Sequence, residues 1–104
     1  MPIPAPRDCT TMTEVRAGVD QVDRELVDLI ARRFGYMDAA ARIKPDRAQV
    51  RDEARKAEVV ANARRAAEAA GLPADEVAAL WDRLVEASIA YELDAFDRLR
   101  ASAS

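Results

Sequence analysis

The sequence predicts an all-α protein with three helices per chain, and three observations predict it. Apolar residues recur at spacings of three and four along most of the chain. Ala supplies 23 of the 104 residues, whereas the aromatic set is one Trp, two Tyr and two Phe. Such a composition favours helices whose core is built from many small contacts between closely approaching elements. Finally, no cluster of Val, Ile and Thr alternates with period two, so no strand is expected.

Residues 1–12 are Pro-rich and polar and read as a flexible N-terminal arm, leaving residues 13–100 as one helical domain, the size a chain of this length allows. The first helix starts near Val15 and carries Val19, Val22, Leu26, Leu29, Met37, Ala40 and Ile43 along one stripe. Thr13 is placed to cap it, Glu14 suits its positive end, and Pro45 closes it by pushing the preceding residue out of the helical region. At 1.5 Å per residue this helix is roughly 45 Å long. A compact chain of this size has a radius of gyration near ~13 Å, so the rod calls for a partner chain. Residues 44–52 form a charged loop with few apolar anchors, expected to be mobile. Asp52 then caps a second, Ala-rich helix of about residues 53–70 that Gly71 ends. Pro73 suits the first turn of a third helix reaching about Arg100, with Val77, Leu80, Trp81, Leu84, Val85, Ile89, Phe96 and Leu99 on its buried side.

Composition excludes several chemistries. With no histidine and Cys9 as the single cysteine, no internal disulfide, zinc site, Ser/His/Asp triad or Cys/His pair is available. The charge of −3 argues against nucleic acid as a partner. No apolar run approaches the ~18 residues that span a bilayer, and the opening Met1-Pro2-Ile3-Pro4-Ala5-Pro6 lacks the order of a signal peptide, so a soluble, cytoplasmic chain is expected. The cationic side chains divide into 14 Arg and 2 Lys, a bias toward the group that grips planar anions in bidentate fashion.

Several residues interrupt the apolar stripes. Arg33 falls on the seam of the first helix, where a guanidinium needs an anion or a route to the surface. Lys44 lies 11 residues on, about 20° around the axis and ~16 Å along it, so the two cations can converge on one ligand. Arg16 is roughly 25 Å from Arg33 and turned by about 100°, so it reads from position as a first-turn surface residue, or joins such a site only from a second, antiparallel protomer. On the third helix Ser88 and Glu92 are an i,i+4 pair on the apolar side. Glu92 reads either as a counter-ion of Arg33 or as a buried acid that donates a hydrogen bond to a ligand oxygen. Tyr36, Trp81 and Tyr91 read as packing groups.

The order Arg16, Arg33, Lys44, then Val50-Arg51-Asp52-Glu53-Ala54-Arg55, then Ser88 and Glu92 resembles the all-helical chorismate mutase family of bacteria over roughly residues 8 to 100. The segments Asp8-Cys9-Thr10 and Arg32-Arg33-Phe34-Gly35-Tyr36 are also similar to the related isochorismate pyruvate lyases of salicylate synthesis. The resemblance implies an intertwined helical homodimer with two shared sites, each binding a small dicarboxylate without cofactor or metal. It implies that Arg16 of the other chain and Arg33 hold the substrate carboxylates with help from Ser88, and that Lys44 bridges a carboxylate and the ether oxygen. Asp52 would position the ring hydroxyl, Arg55 would line the pocket, and Glu92 would hydrogen-bond the ether oxygen. Lys56 stands where the typical mutase has a Glu. Converting chorismate to prephenate is a unimolecular pericyclic rearrangement that needs no nucleophile, so a protein without histidine can perform it. The expected activity is therefore a chorismate mutase serving phenylalanine and tyrosine synthesis, with Lys44, Glu92 and Arg33 as its catalytic residues. The alternatives are an isochorismate pyruvate lyase, which makes salicylate and pyruvate, and a non-catalytic dimeric helical module that binds a carboxylate.

Overall fold

The computed structural model describes residues 3–103 and holds three α-helices and two short 3₁₀ turns, with no strand among the described residues. Helix α1 spans Met12–Ile43, α2 spans Glu53–Ala69 and α3 spans Ala74–Ala103, with the 3₁₀ turns at Pro6–Asp8 and Arg47–Gln49. The chain divides into two compact units, Met1–Gly35 and Tyr36–Ser104. None of the helices is long and apolar enough to cross a membrane among the described residues.

In the first unit, α1 starts two residues earlier than Thr13 capping would allow, because the cap is Thr11. The Thr11 hydroxyl accepts from the Glu14 amide at 3.2 Å, and the Glu14 carboxylate accepts from the Thr11 amide at 3.1 Å and the Thr10 amide at 3.0 Å. This reciprocal pair satisfies donors at both sides of the helix start, which a cap at Thr13 could not do. The hydrogen bonds from the Thr10 amide, then the Thr10 and Thr11 hydroxyls, hold the Glu14 carboxyl below its usual range. Ahead of the cap, the segment read as an arm makes its 3₁₀ turn, and the Cys9 thiol donates to the Pro4 carbonyl at 3.9 Å. The stripe Val15, Val19, Val22, Leu26 and Leu29 is exposed along α1.

In the second unit, α1 ends at Ile43 with the Lys44 amide still bonded to the Ala40 carbonyl, and Pro45 prevents a further turn. The next segment is better anchored than its charge suggested. Val50 is buried, Asp46 caps the 3₁₀ turn by accepting from the Ala48 amide, and Arg47 forms a two-pronged pair with Asp97. Asp52 caps α2 by accepting from the Arg55 amide at 3.0 Å. The helix closes in a Schellman turn, with Leu72 donating to Ala67 at 2.8 Å and Gly71 to Glu68 at 3.2 Å. Pro73 stands just before α3, whose Val77 amide bonds the Pro73 carbonyl, and α3 runs past Arg100 to Ala103.

α2 packs on α3 through Ala63, Ala67 and Ala78, and the core continues through Ala41, Val50, Val85, Ile89, Ala95 and Phe96. Three of the side chains expected inside, Leu80, Trp81 and Leu99, are exposed instead. A helix as apolar as α3 has more than one apolar face, and the second unit offers it only one seam, which its small residues fill.

Gly71 has φ of +73° with open space where a Cβ would lie, so a side chain there meets backbone strain and no clash. Gly71→Ala is expected to cost about 1 kcal/mol, lowering the melting temperature by roughly 4–8 °C. Gly71→Asn is expected to lose less, because Asn tolerates the left-handed region; thermal denaturation of the three proteins checks the order.

Candidate active site

The α-helical period sets the candidate site on α3. Val85, Ser88, Ile89, Glu92 and Phe96 share the face turned to the core, so the pattern that buries the apolar residues also buries a hydroxyl and a carboxylate. Ser88 is 3% exposed and donates from Oγ to the Leu84 carbonyl at 2.7 Å, one turn back. Glu92, 4% exposed, lies one turn on.

Glu92 is matched by Lys44. The Lys44 Nζ donates to Glu92 Oε2 at 2.7 Å, with the lysine side chain 29% exposed and the glutamate side chain 5% exposed. Lys44 is the first residue beyond α1, and the chain turn forced by Pro45 keeps its side chain at the helix end, where a cation also meets the negative end of the dipole. The pair is asymmetric in its burial. The carboxylate loses several kcal/mol of hydration, about the amount that a well-made pair returns, while the ammonium keeps part of its water. The couple presents an ammonium with further protons to donate and a carboxylate with further lone pairs, a combination suited to an oxygen-rich anionic ligand.

A second ionic group ties the loop and α2 to α3. Arg51 grips Glu86 through both guanidinium nitrogens, at 2.8 and 3.1 Å, and reaches Glu53 at 2.9 Å. Lys56 adds contacts to Glu86 at 2.8 Å and to Asp82 at 3.1 Å. Hydrogen bonds from Arg51, and then from Lys56, pull the Glu86 carboxyl down to about 2. In return Glu86, followed by Glu53, raises Arg51, and Glu86, followed by Asp82, raises Lys56.

The sequence-expected residues fall into three sets. Lys44, Ser88 and Glu92 come together in the second unit. Asp52 and Arg55 belong to the same unit but serve α2: the Asp52 side chain is its cap, and the exposed Arg55 side chain pairs with Glu58 one turn on. Arg16, exposed, and Arg33, half-buried, belong to the first unit. The sequence reading missed Glu86 and Arg100. Nothing local announces Glu86, which stands 35 residues from Arg51 and 30 from Lys56. Arg100 was foreseeable, being two turns beyond Glu92 on the same helix.

Sequence comparison places these residues in a family. The sequence model described as chorismate mutase type II matches residues 15–93. A relative from Pseudomonas aeruginosa, named isochorismate pyruvate lyase, is 31% identical over 98 residues, covering 94% of this chain and 97% of that protein. The chain belongs to the chorismate mutase type II family, on the side of it that is similar to the lyase.

The Glu86 network makes a pH prediction. Its carboxyl is lowered in the folded chain, so the stability it contributes is present above the ordinary value of 4.5 and is lost as pH falls toward about 2. Melting curves of the wild type and Glu86→Gln are expected to differ near neutral pH and to converge across that acid window. A constant difference down to about pH 2 would contradict the role given to Arg51 and Lys56.

Proposed function

We propose that this chain is a chorismate mutase, acting on the enol-pyruvyl ether chorismate by electrostatic and conformational control of a pericyclic rearrangement. The observation that carries the reading is the Lys44–Glu92 couple at 2.7 Å beside Ser88, held in the α3 seam of a chain of this family. The reaction needs a floppy dianion folded into its reactive conformer and hydrogen-bond donors aimed at the ether oxygen, where negative charge grows as the C–O bond breaks. Lys44 is the donor to that oxygen and to a carboxylate. Arg33 holds a carboxylate, Ser88 assists it, and Glu92 holds the Lys44 ammonium on the ether-oxygen side of the substrate. Asp52 and Arg55 approach the ring from the start of α2. One ether-oxygen donor is worth about 3–4 kcal/mol of barrier, and each charge-assisted carboxylate contact about 1.5–3 kcal/mol.

The site in this reading is completed by a second copy of the chain, which supplies Arg16. The exposed stripe Val15, Val19, Val22, Leu26 and Leu29 supports it, since a helix with a continuous apolar face in water lacks the partner that would bury it.

A second reading, isochorismate pyruvate lyase, is favoured by the name of the Pseudomonas aeruginosa relative and by Lys56, which stands beside Arg55 and is tied to Asp82 and Glu86. The residues that grip the two carboxylates are the same in both readings, so the ring contacts separate them.

Incubation of the purified protein with each isomer decides between them. Prephenate from chorismate is the expected outcome, whereas salicylate and pyruvate from isochorismate with no prephenate would establish the lyase.

Shared sites make a further test. Arg16→Ala and Arg33→Ala are each expected to be inactive alone. Co-expressed in equal amounts, they should regain about a quarter of wild-type turnover, since half the dimers are mixed and one of the two sites in each is intact. No recovery would mean that the two arginines serve one site from the same chain, or no site.

A further inference from the structure

Lys44 is held at both of its ends. Its ammonium meets Glu92, and its backbone carbonyl accepts a hydrogen bond from Arg100 Nη2 at 2.5 Å. The other guanidinium nitrogen, Nη1, donates to the Ala41 carbonyl at 2.6 Å. The plane of Arg100 also lies over the Phe96 ring, 3.7 Å from its centroid. Glu92, Phe96 and Arg100 are spaced i, i+4, i+8 on α3, so one stripe of that helix carries the acid, the platform and the clamp.

The last carbonyls of a helix have no partner inside it, and α1 ends where they would face the core edge. A guanidinium is the side chain suited to two such oxygens at once, because its donors diverge in a fixed plane. The aromatic face below fixes that plane and favours the charge. Asp97, next to Phe96, holds Arg47 at 2.9 Å, so the chain is tied to α3 on both sides of Lys44. Arg100 lies beyond residue 93, where the match to the family model ends.

We propose that Arg100 is a positioning residue for Lys44: by clamping the α1 terminus at Ala41 and Lys44, it fixes the origin of the lysine side chain and thereby the Lys44–Glu92 couple. The consequence for catalysis rests on the function proposed above, whereas the clamp itself does not. Without it, the Lys44 carbonyl turns to water, the backbone after Ile43 gains freedom, and the ammonium spends less time against Glu92.

The test uses Arg100→Gln and Arg100→Lys in the full chain, with two readouts. The first is steady-state kinetics with chorismate: kcat is expected to fall about tenfold in Arg100→Gln with KM changed less than about twofold. Arg100→Lys, which keeps the charge over Phe96 but cannot span two carbonyls, is expected to lie between it and the wild type. The second is competitive acetylation followed by peptide mass spectrometry. The chain has two lysines, so Lys56 is an internal reference, and the Lys44-to-Lys56 rate ratio is expected to rise severalfold. If Arg100→Gln does not keep its helical circular dichroism, Arg100→Lys carries the decision. A folded variant with wild-type kcat and a wild-type lysine ratio overturns the proposal, as does equal acceleration at both lysines. Should the wild type transform neither chorismate nor isochorismate, the proposed function fails, while the lysine ratio still decides the clamp.

Discussion

The ion pair between Lys44 and Glu92 is the constraint around which the second unit is arranged. A carboxylate kept from water is tolerated only where its partner's geometry returns the lost hydration, so the surroundings of Glu92 cannot be loose. That demand explains features that look unrelated in the primary sequence. α1 must stop at Ile43 so that Lys44 leaves the helix beside α3, and Pro45 enforces the stop. Val50 must drive into the core so that the segment after Lys44 closes over the seam. Apolar burial at Val85, Ile89 and Phe96, worth about 1.5–3 kcal/mol for each fully buried side chain, supports the face on which Glu92 is carried.

Charges elsewhere follow another rule. The Arg51, Lys56, Asp82 and Glu86 group and the Arg47–Asp97 pair sit at the rim, where water screens them. Their value is geometric. They connect the 44–52 segment and the start of α2 to successive turns of α3, so Asp52 and Arg55 are presented from a fixed end of α2 rather than from a free loop. The chain thus separates two settings of charge, with one couple in the seam and several at the edge for placement.

Much of this was legible from residue order. Three helices, the Pro45 stop, the Asp52 cap and the Gly71 terminus follow from local rules, because caps, prolines and left-handed glycines act within one turn of where they stand. Ser88 and Glu92 were visible as polar residues on an apolar face, and Lys44 as a cation at a helix end. What escaped depends mostly on contacts distant in sequence, but the first cap is a local miss. Thr11 displaced Thr13 as the cap because the reciprocal bond with Glu14 needs a spacing of three residues. Leu80, Trp81 and Leu99 are apolar residues at helical spacing, and periodicity cannot say which of two apolar faces of α3 meets α2. Val50 hid among charged neighbours, which made its segment look unanchored.

The alanines between α2 and α3 carry a last implication. Methyl groups at Ala63, Ala67 and Ala78 let the two helices approach closely, yet such short knobs interlock weakly, so sliding one helix along the other sacrifices little contact. Something else has to act as the vernier. Arg64 with Asp75 near the hairpin bend and Lys56 with Asp82 at the far end are opposite-sign rungs that match in one alignment and mismatch in its neighbours. Small side chains grant the proximity, and the ionic rungs select the notch at which Glu92 comes to rest.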